Sequence, residues 1–224
     1  KEINTFIKQL FPDEELEIYM WEHLSSVLLG TNQNQTFNIY TGNGRNGKSK
    51  LVELMEMTLG DYKGSVPITL VTNKRQSIGS CSPEIAQLQG RRYAVMQEPT
   101  KGDKINEGIM KEITGGDPIQ GRSLYSDTVT YVPQFSLCVC TNNLFDVKSQ
   151  DEGTWRRMRT VPFKSYFSDA PEEGNKYQFK VDKNVNVKFE KWKETFVSML
   201  VDIIYKTDGI VHDCSIVTEF TNKY

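Results

Sequence analysis

Residues Gly42-Asn-Gly-Arg-Asn-Gly-Lys48-Ser49 follow the pattern G-x-x-x-x-G-K-[ST], whose chemistry is the cradling of a polyphosphate. Glycines let the backbone fold tightly enough to aim its N–H groups at phosphate oxygens. Lys48 supplies positive charge for the β- and γ-phosphates, and the Ser49 hydroxyl suits Mg²⁺. Gly42, Asn43, Gly44, Arg45, Asn46, Gly47, Lys48, Ser49 and Lys50 therefore form a candidate nucleotide-binding set, with ATP and Mg²⁺ as the expected cofactors. This chemistry needs a strand before the loop and a helix after it, because an open helix N-terminus favours anions. Thr36-Phe-Asn-Ile-Tyr-Thr41 reads as that strand, and Lys48 to Met57 as that helix. The competing reading, a glycine-rich turn with a surface lysine, is disfavoured by these flanks.

Three later features could share the chemistry. Tyr93-Ala-Val-Met-Gln97 reads as a strand that delivers Glu98 at its carboxyl end, where open α/β sheets bind ligands. Glu98 could hold Mg²⁺, directly or through water, or polarise an attacking water. The apolar run ending at Thr141 delivers Asn142, whose amide can accept from water and donate to phosphate, with Asn143 as its neighbour. Arg156 and Arg157 follow; a guanidinium at the γ-phosphate stabilises the transition state. Read from residues alone, an arginine pair is more often a solvated patch or an ion pair with Asp151 or Glu152.

The elements around these residues alternate. Residues 13–29 read as a helix opening at Asp13, with Leu16, Tyr19, Met20, Leu24, Val27 and Leu28 on one face and Gly30 at its end. Residues 66–72 read as a strand or edge strand, and a helix is expected from Ser82-Pro83 to near Gly90. Residues 104–114 read as a helix, 119–133 as an extended hairpin, 134–141 as a strand and 151–159 as a turn or short helix. Val161 to Phe163 is a short extended piece, 168–184 a polar, mobile loop, and 185–206 an amphipathic helix. Such alternation predicts an α/β sandwich, with the phosphate loop between a strand and a helix. The expected division is an N-terminal helical segment at 1–35, a core at 36–165, and a polar loop with helical extension at 166–224. A net charge of −2 carries no general nucleic-acid footprint, so such a role needs a local basic surface or a pore built from several copies. The four cysteines form no C-x-x-C, and two histidines are present, which argues against zinc and for a reducing compartment. No membrane span is expected. The chain begins at Lys1, which suggests a piece of something longer.

In this order the features resemble superfamily 3 helicases, the AAA+ helicases of DNA and RNA viruses. More narrowly, they resemble the helicase domain of poxvirus-type primase-helicases of large DNA viruses, with relatives in phages. The resemblance rests on Gly42 to Ser49, then Gln97-Glu98-Pro99, then Thr114-Gly-Gly-Asp-Pro118 with Arg122, then Thr141-Asn142, and Gly153-Thr-Trp-Arg-Arg157 leading to Pro162-Phe163. It implies an α/β fold built as an AAA+-type P-loop ATPase core, with a mainly parallel central sheet flanked by helices, plus an N-terminal helix and a C-terminal helical segment. It also implies that Lys48 and Ser49 bind ATP–Mg²⁺, Glu98 is the acidic residue of the second motif, and Asn142 is the sensor. Arg157, with Arg156 as second choice, is implied as an arginine finger acting in trans within a homo-hexamer. A hairpin within Gly121 to Val132 would grip single-stranded DNA in the ring's channel, with Arg122, Ser123, Leu124 and Tyr125 at or near its tip. The tip lacks the Lys-His pair of some relatives. A linked primase or other domain, and action inside the cell, in the host cytoplasm, are implied in the same way.

The function expected is an ATP-dependent DNA helicase of viral replication. Two alternatives stand beside it: a small-molecule kinase sharing the loop, and an AAA+ protein-remodelling module.

Overall fold

The computed structural model describes residues 1–72, 81–96, 103–142, 144, 146–147 and 151–223. Helices α1 (Glu2–Leu10) and α2 (Glu14–Ser26) open the chain, and a 3-10 turn then ends at Gly30 with φ +64°. Strand β1 (Phe37–Thr41) leads through the glycine loop into α3 (Lys48–Leu59). There follow β2 (Lys63–Val66), α4 (Thr69–Thr72), α5 (Pro83–Ala86), β3 (Tyr93–Met96) and α6 (Glu107–Thr114). A hairpin, β4 (Ile119–Arg122) and β5 (Thr128–Tyr131), precedes β6 (Ser136–Thr141), α7 (Glu152–Trp155) and β7 (Met158–Pro162). Last come β8 (Tyr166–Ser168), β9 (Gln178–Lys180), α8 (Val185–Thr207) and α9 (Ser215–Asn222).

The central sheet has the order β2-β3-β6-β1-β7, and every pairing in it is parallel. The expected α/β fold, with a parallel sheet between helices, is thus the observed one. Parallel sheets need both faces covered, because their crossovers lay helices on each side. Alternation along β1 serves both faces. Phe37 and Ile39 enter one core with Val71, Met110 and Ile113, while Tyr40 enters the other with Leu24, Leu51, Phe189 and Val217. The second core joins α1, α2, α3, α8 and α9, so the C-terminal helices pack into the same apolar mass as the loop-bearing strand. Among the described residues no helix is long and apolar enough to cross a membrane.

Met158 and Arg159, expected within a turn or short helix, belong instead to β7, and three further segments differ from expectation. Residues 66–72 are not one strand: β2 ends at Val66 and α4 begins at Thr69. Pro67 has no N–H to continue a ladder, and its carbonyl accepts from the Leu70 amide at 3.1 Å, which turns the chain. The helix expected up to Gly90 stops at Ala86. Ser82 does not cap it; its hydroxyl accepts from the Arg122 amide at 3.1 Å, and its amide donates to the Arg122 carbonyl. Residues 168–184 are not a bare loop, since β9 pairs in parallel with β8. Asp13 fastens this piece by accepting from Lys164, Lys176 and the Tyr177 hydroxyl. Burial raises the Asp13 carboxyl, but those hydrogen bonds outweigh it and hold the pKa at about 2.

Beneath the loop strand, His23 of α2 is buried, with Nε2 2.7 Å from the Tyr40 hydroxyl. Burial lowers its pKa from 6.5 to about 4. Between these values the unfolded chain binds a proton that the folded chain refuses, so stability falls as pH drops from 6.5 toward 4, by up to about 1.4 kcal/mol per pH unit. His23→Gln should remove this component. The difference between variant and wild type in urea-unfolding free energy is then constant above pH 6.5 and changes between pH 6.5 and 4.

Candidate nucleotide-binding site

The loop that leaves β1 is built on backbone angles that most side chains reject. Gly42 has φ +146°, and a Cβ there would lie 2.5 Å from the Phe163 carbonyl oxygen. Gly47 has φ +82°, and Arg45 reaches φ +60° without being glycine. The strained turn is held from both sides. Inside, the buried Asn46 accepts from the Lys48 amide through Oδ1 at 3.2 Å, while its Nδ2 has no partner among the described residues. Outside, the Phe167 amide of β8 donates to the Arg45 carbonyl at 2.8 Å. Helix α3 starts at Lys48 with no cap from its N-cap residue Gly47, and although Asn46 takes the Lys48 amide, the next amides in the first turn keep the open geometry that anions use.

Lys48 is 8% exposed, and its amine donates to three oxygens: Gly42 O at 2.8 Å, Thr141 O at 2.9 Å and Asn142 Oδ1 at 2.7 Å. The parallel register that sets Thr41 opposite Thr141 brings the loop and Asn142 together. Ser49 is exposed in the first turn of α3, and Asn43, Gly44 and Arg45 are exposed along the loop. Lys50 turns away from the loop, donating to Glu53 and to Asn186 of α8, each at 2.7 Å. Glu98, the other residue expected at the metal, lies outside the described residues, as do Gln97, Pro99 and Asn143. Cys140 lies on β6 near Lys48, but burial pushes its thiol up to about 11, which disfavours a thiolate nucleophile here. The donors present suit a polyphosphate: open backbone amides, one buried ammonium and an exposed hydroxyl.

Arg156 and Arg157 are not at this end of the sheet. The Arg157 carbonyl accepts from the Phe37 amide at 2.7 Å, placing the pair at the amino end of β1. At about 3.3 Å per residue, the strand puts on the order of 15 Å between them and the loop. Both guanidinium groups donate to Gln35 Oε1, at 3.2 and 3.3 Å, and Arg157 also to Gly153 O at 2.7 Å. Burial and the neighbouring Arg156 lower the Arg157 pKa. Asp151, the partner considered from sequence, instead caps α7 and pairs with Lys111.

The β4–β5 hairpin pairs Arg122 with Thr128, leaving Ser123 to Asp127 as its tip. Leu124 is 64% and Tyr125 96% exposed there. Arg122 is half-buried at the tip's base, with no hydrogen-bond partner for Nε among the described residues. Gly121 lets the hairpin lie against α5, where a Cβ would come within 2.5 Å of the Ala86 amide nitrogen.

A cavity of about 730 Å³ opens beside the loop, between α1, β8 and the start of α8. Arg45, Gly47 and Lys50 line its loop side, and Phe6, Phe167 and Trp192 its apolar side. Sequence reading passed over Phe167; the alternating aromatics at Tyr166-Phe167 and Tyr177-x-Phe179 were the available signal for β8 and β9.

Against known proteins, the model of a family of unknown function, DUF5906, matches residues 40–157. A protein of Acanthamoeba polyphaga mimivirus named "Putative helicase L207/L206" is 39% identical over the whole of this chain and 24% of its own length. "Putative helicase 022R" of Frog virus 3 is 34% identical over 84% of this chain and 20% of that protein. "Putative primase C962R" of African swine fever virus is 27% identical over 79% of this chain and 18% of that protein. The chain thus spans a quarter or less of the length of these relatives. Among solved structures, the apo C-terminal region of NrS-1 superposes with a TM-score of 0.71 at 13% identity, over 99% of this chain and 51% of that one.

Two loop glycines separate the steric demands of the turn. Gly42→Ala forces a Cβ onto the Phe163 carbonyl and should lower stability in urea unfolding by about 1–3 kcal/mol. Gly44 has open space around its Cβ position and no positive φ, so Gly44→Ala should stay within about 1 kcal/mol of wild type.

Proposed function

We propose that this chain, which belongs to the family of unknown function DUF5906, is the ATP-hydrolysing part of a DNA helicase of large DNA viruses. The observation that carries this reading is the meeting of Lys48 and Asn142 at 2.7 Å, at the carboxyl ends of two adjacent parallel strands. The viral relatives and their printed names support it.

In this reading the loop amides and Lys48 hold the β- and γ-phosphates and offset the charge that grows on them as water attacks in line. Lys48 already lies against three oxygens, so phosphate oxygens can take over acceptor positions without moving the ammonium into apolar surroundings. Asn142, released from Lys48 by that exchange, would orient the attacking water. Ser49, with Glu98, would hold magnesium, which neutralises charge between the phosphates. Arg157, or Arg156, lies too far from its own loop to reach it, so we assign it to the loop of a neighbouring copy in a homo-hexamer. The exposed Leu124 and Tyr125 would meet single-stranded DNA in the channel, Tyr125 by stacking, with Arg122 at the hairpin base. Because one relative is named a primase, we extend the proposal to a covalently linked primase, and, because the relatives are proteins of large DNA viruses, to action in the host cytoplasm.

ATP turnover measured on an oligomeric preparation tests this. Single-stranded DNA should raise it, and Lys48→Ala should abolish it. Arg157→Ala should keep nucleotide binding, lose roughly 10³-fold in turnover, and recover partly in rings mixed with Lys48→Ala subunits. A monomer whose turnover ignores DNA would sink the helicase reading. Full turnover in Arg157→Ala would move the finger to Arg156.

A further inference from the structure

We infer that the cavity between α1, β8 and the start of α8 receives the base and ribose of the nucleotide, with Phe167 as the stacking wall and Gln9 at the base edge. This rests on the loop being a triphosphate site. A triphosphate gripped by the loop must send its nucleoside into room that adjoins it. On the sheet side that room is taken: the Phe163 carbonyl closes on Gly42, and Lys48 lies against Thr141 and Asn142. On the other side the cavity is continuous with the loop through Arg45, Gly47 and Lys50, and its 730 Å³ falls within the range of small-molecule sites.

Its chemistry suits a nucleoside. Phe6, Leu10 and Trp192, all buried, form the apolar floor, and the half-buried Phe167 stands at the loop edge, its Cε2 3.3 Å from where a Gly47 Cβ would be. An aromatic face so placed stacks on any base. Thr5 and Gln9 lie one turn apart on α1 and both line the cavity. An amide offers a donor and an acceptor side by side, as a base edge requires. The rim carries more cations than acids, although Lys183 and Lys188 are paired with Asp169 and Asp182. That excess suits the sugar-phosphate end.

The wall is also tied to the loop. Phe167 donates its amide to Arg45, and its ring packs at 5.8 Å on Phe179 of β9. The backbone tie does not depend on the side chain, so the ring can be removed while the loop stays anchored.

Calorimetric titration of the 224-residue chain with Mg-ATP and, separately, with magnesium tripolyphosphate tests the assignment. Phe167→Ala should weaken ATP about tenfold or more and leave tripolyphosphate within about twofold. Phe167→Trp should restore ATP affinity, and Gln9→Ala, at a half-buried position on the cavity side of α1, should weaken ATP alone. Equal losses for both ligands, or no loss for ATP in either alanine variant, would overturn the nucleoside site while the phosphate loop stands. If wild type bound neither ligand, the loop reading would fall and this site with it.

Discussion

Strand β1 is paired in parallel on both edges, by β6 on one side and β7 on the other, and the register of those pairings governs the molecule. Thr41 stands level with Thr141 and with Pro162. The residues that follow, Gly42, Asn142 and Phe163, therefore meet at the carboxyl ends of the three strands. Gly42 must be glycine because the Phe163 carbonyl fills the space of a side chain, and Lys48 finds Asn142 because the two strand ends are neighbours. At the other end, Phe37 stands level with Leu137 and Met158, which sets the two arginines far from the loop. A slip of one residue would scatter all of these and turn every strand side chain to the wrong face.

The same pairing dictates the cover. A parallel pair cannot be closed by a tight turn, so the chain crosses above or below the sheet and leaves helices on both faces. On the face carrying Tyr40, the layer is made of segments from both chain ends: α1 and α2 from the beginning, α8 and α9 from the end. Thr221 of α9 accepts from the Thr160 amide of β7 at 3.0 Å, so the last helix reaches the sheet itself. The cavity beside the loop lies between α1 from the beginning of the chain and β8 and α8 from its later part, and Ser165 just before β8 donates to the Leu10 carbonyl at the end of α1 at 3.2 Å.

Much of this was legible one residue at a time. The loop, its strand and its helix follow from glycine spacing and apolar periodicity, and α6, the hairpin and β6 follow from the same local signals. The failures share a cause. Pro67 turned an apparently β-rich run into a helical turn by withholding one N–H. Ser82 looked like a helix cap but gave its hydroxyl to the Arg122 amide, 40 residues away. Residues 168–184 looked too polar for order, yet Lys176 and Tyr177 are held by Asp13 from the other end of the chain. In each case a partner distant in sequence outbid the local preference.

The sequence by itself determined that a phosphate-type loop lies between a buried strand and a helix, that an asparagine follows a later strand, and that an arginine pair comes after it in the chain. Residue type and spacing are enough for that, because glycine's allowed angles and the periods of helix and strand are local properties. Tertiary structure alone decided that Asn142 lies on Lys48 while Arg156 and Arg157 lie at the opposite end of the strands, held by Gln35. The order β2-β3-β6-β1-β7 follows from which strands can bury their faces together, a property of the whole chain that no short window of residues contains.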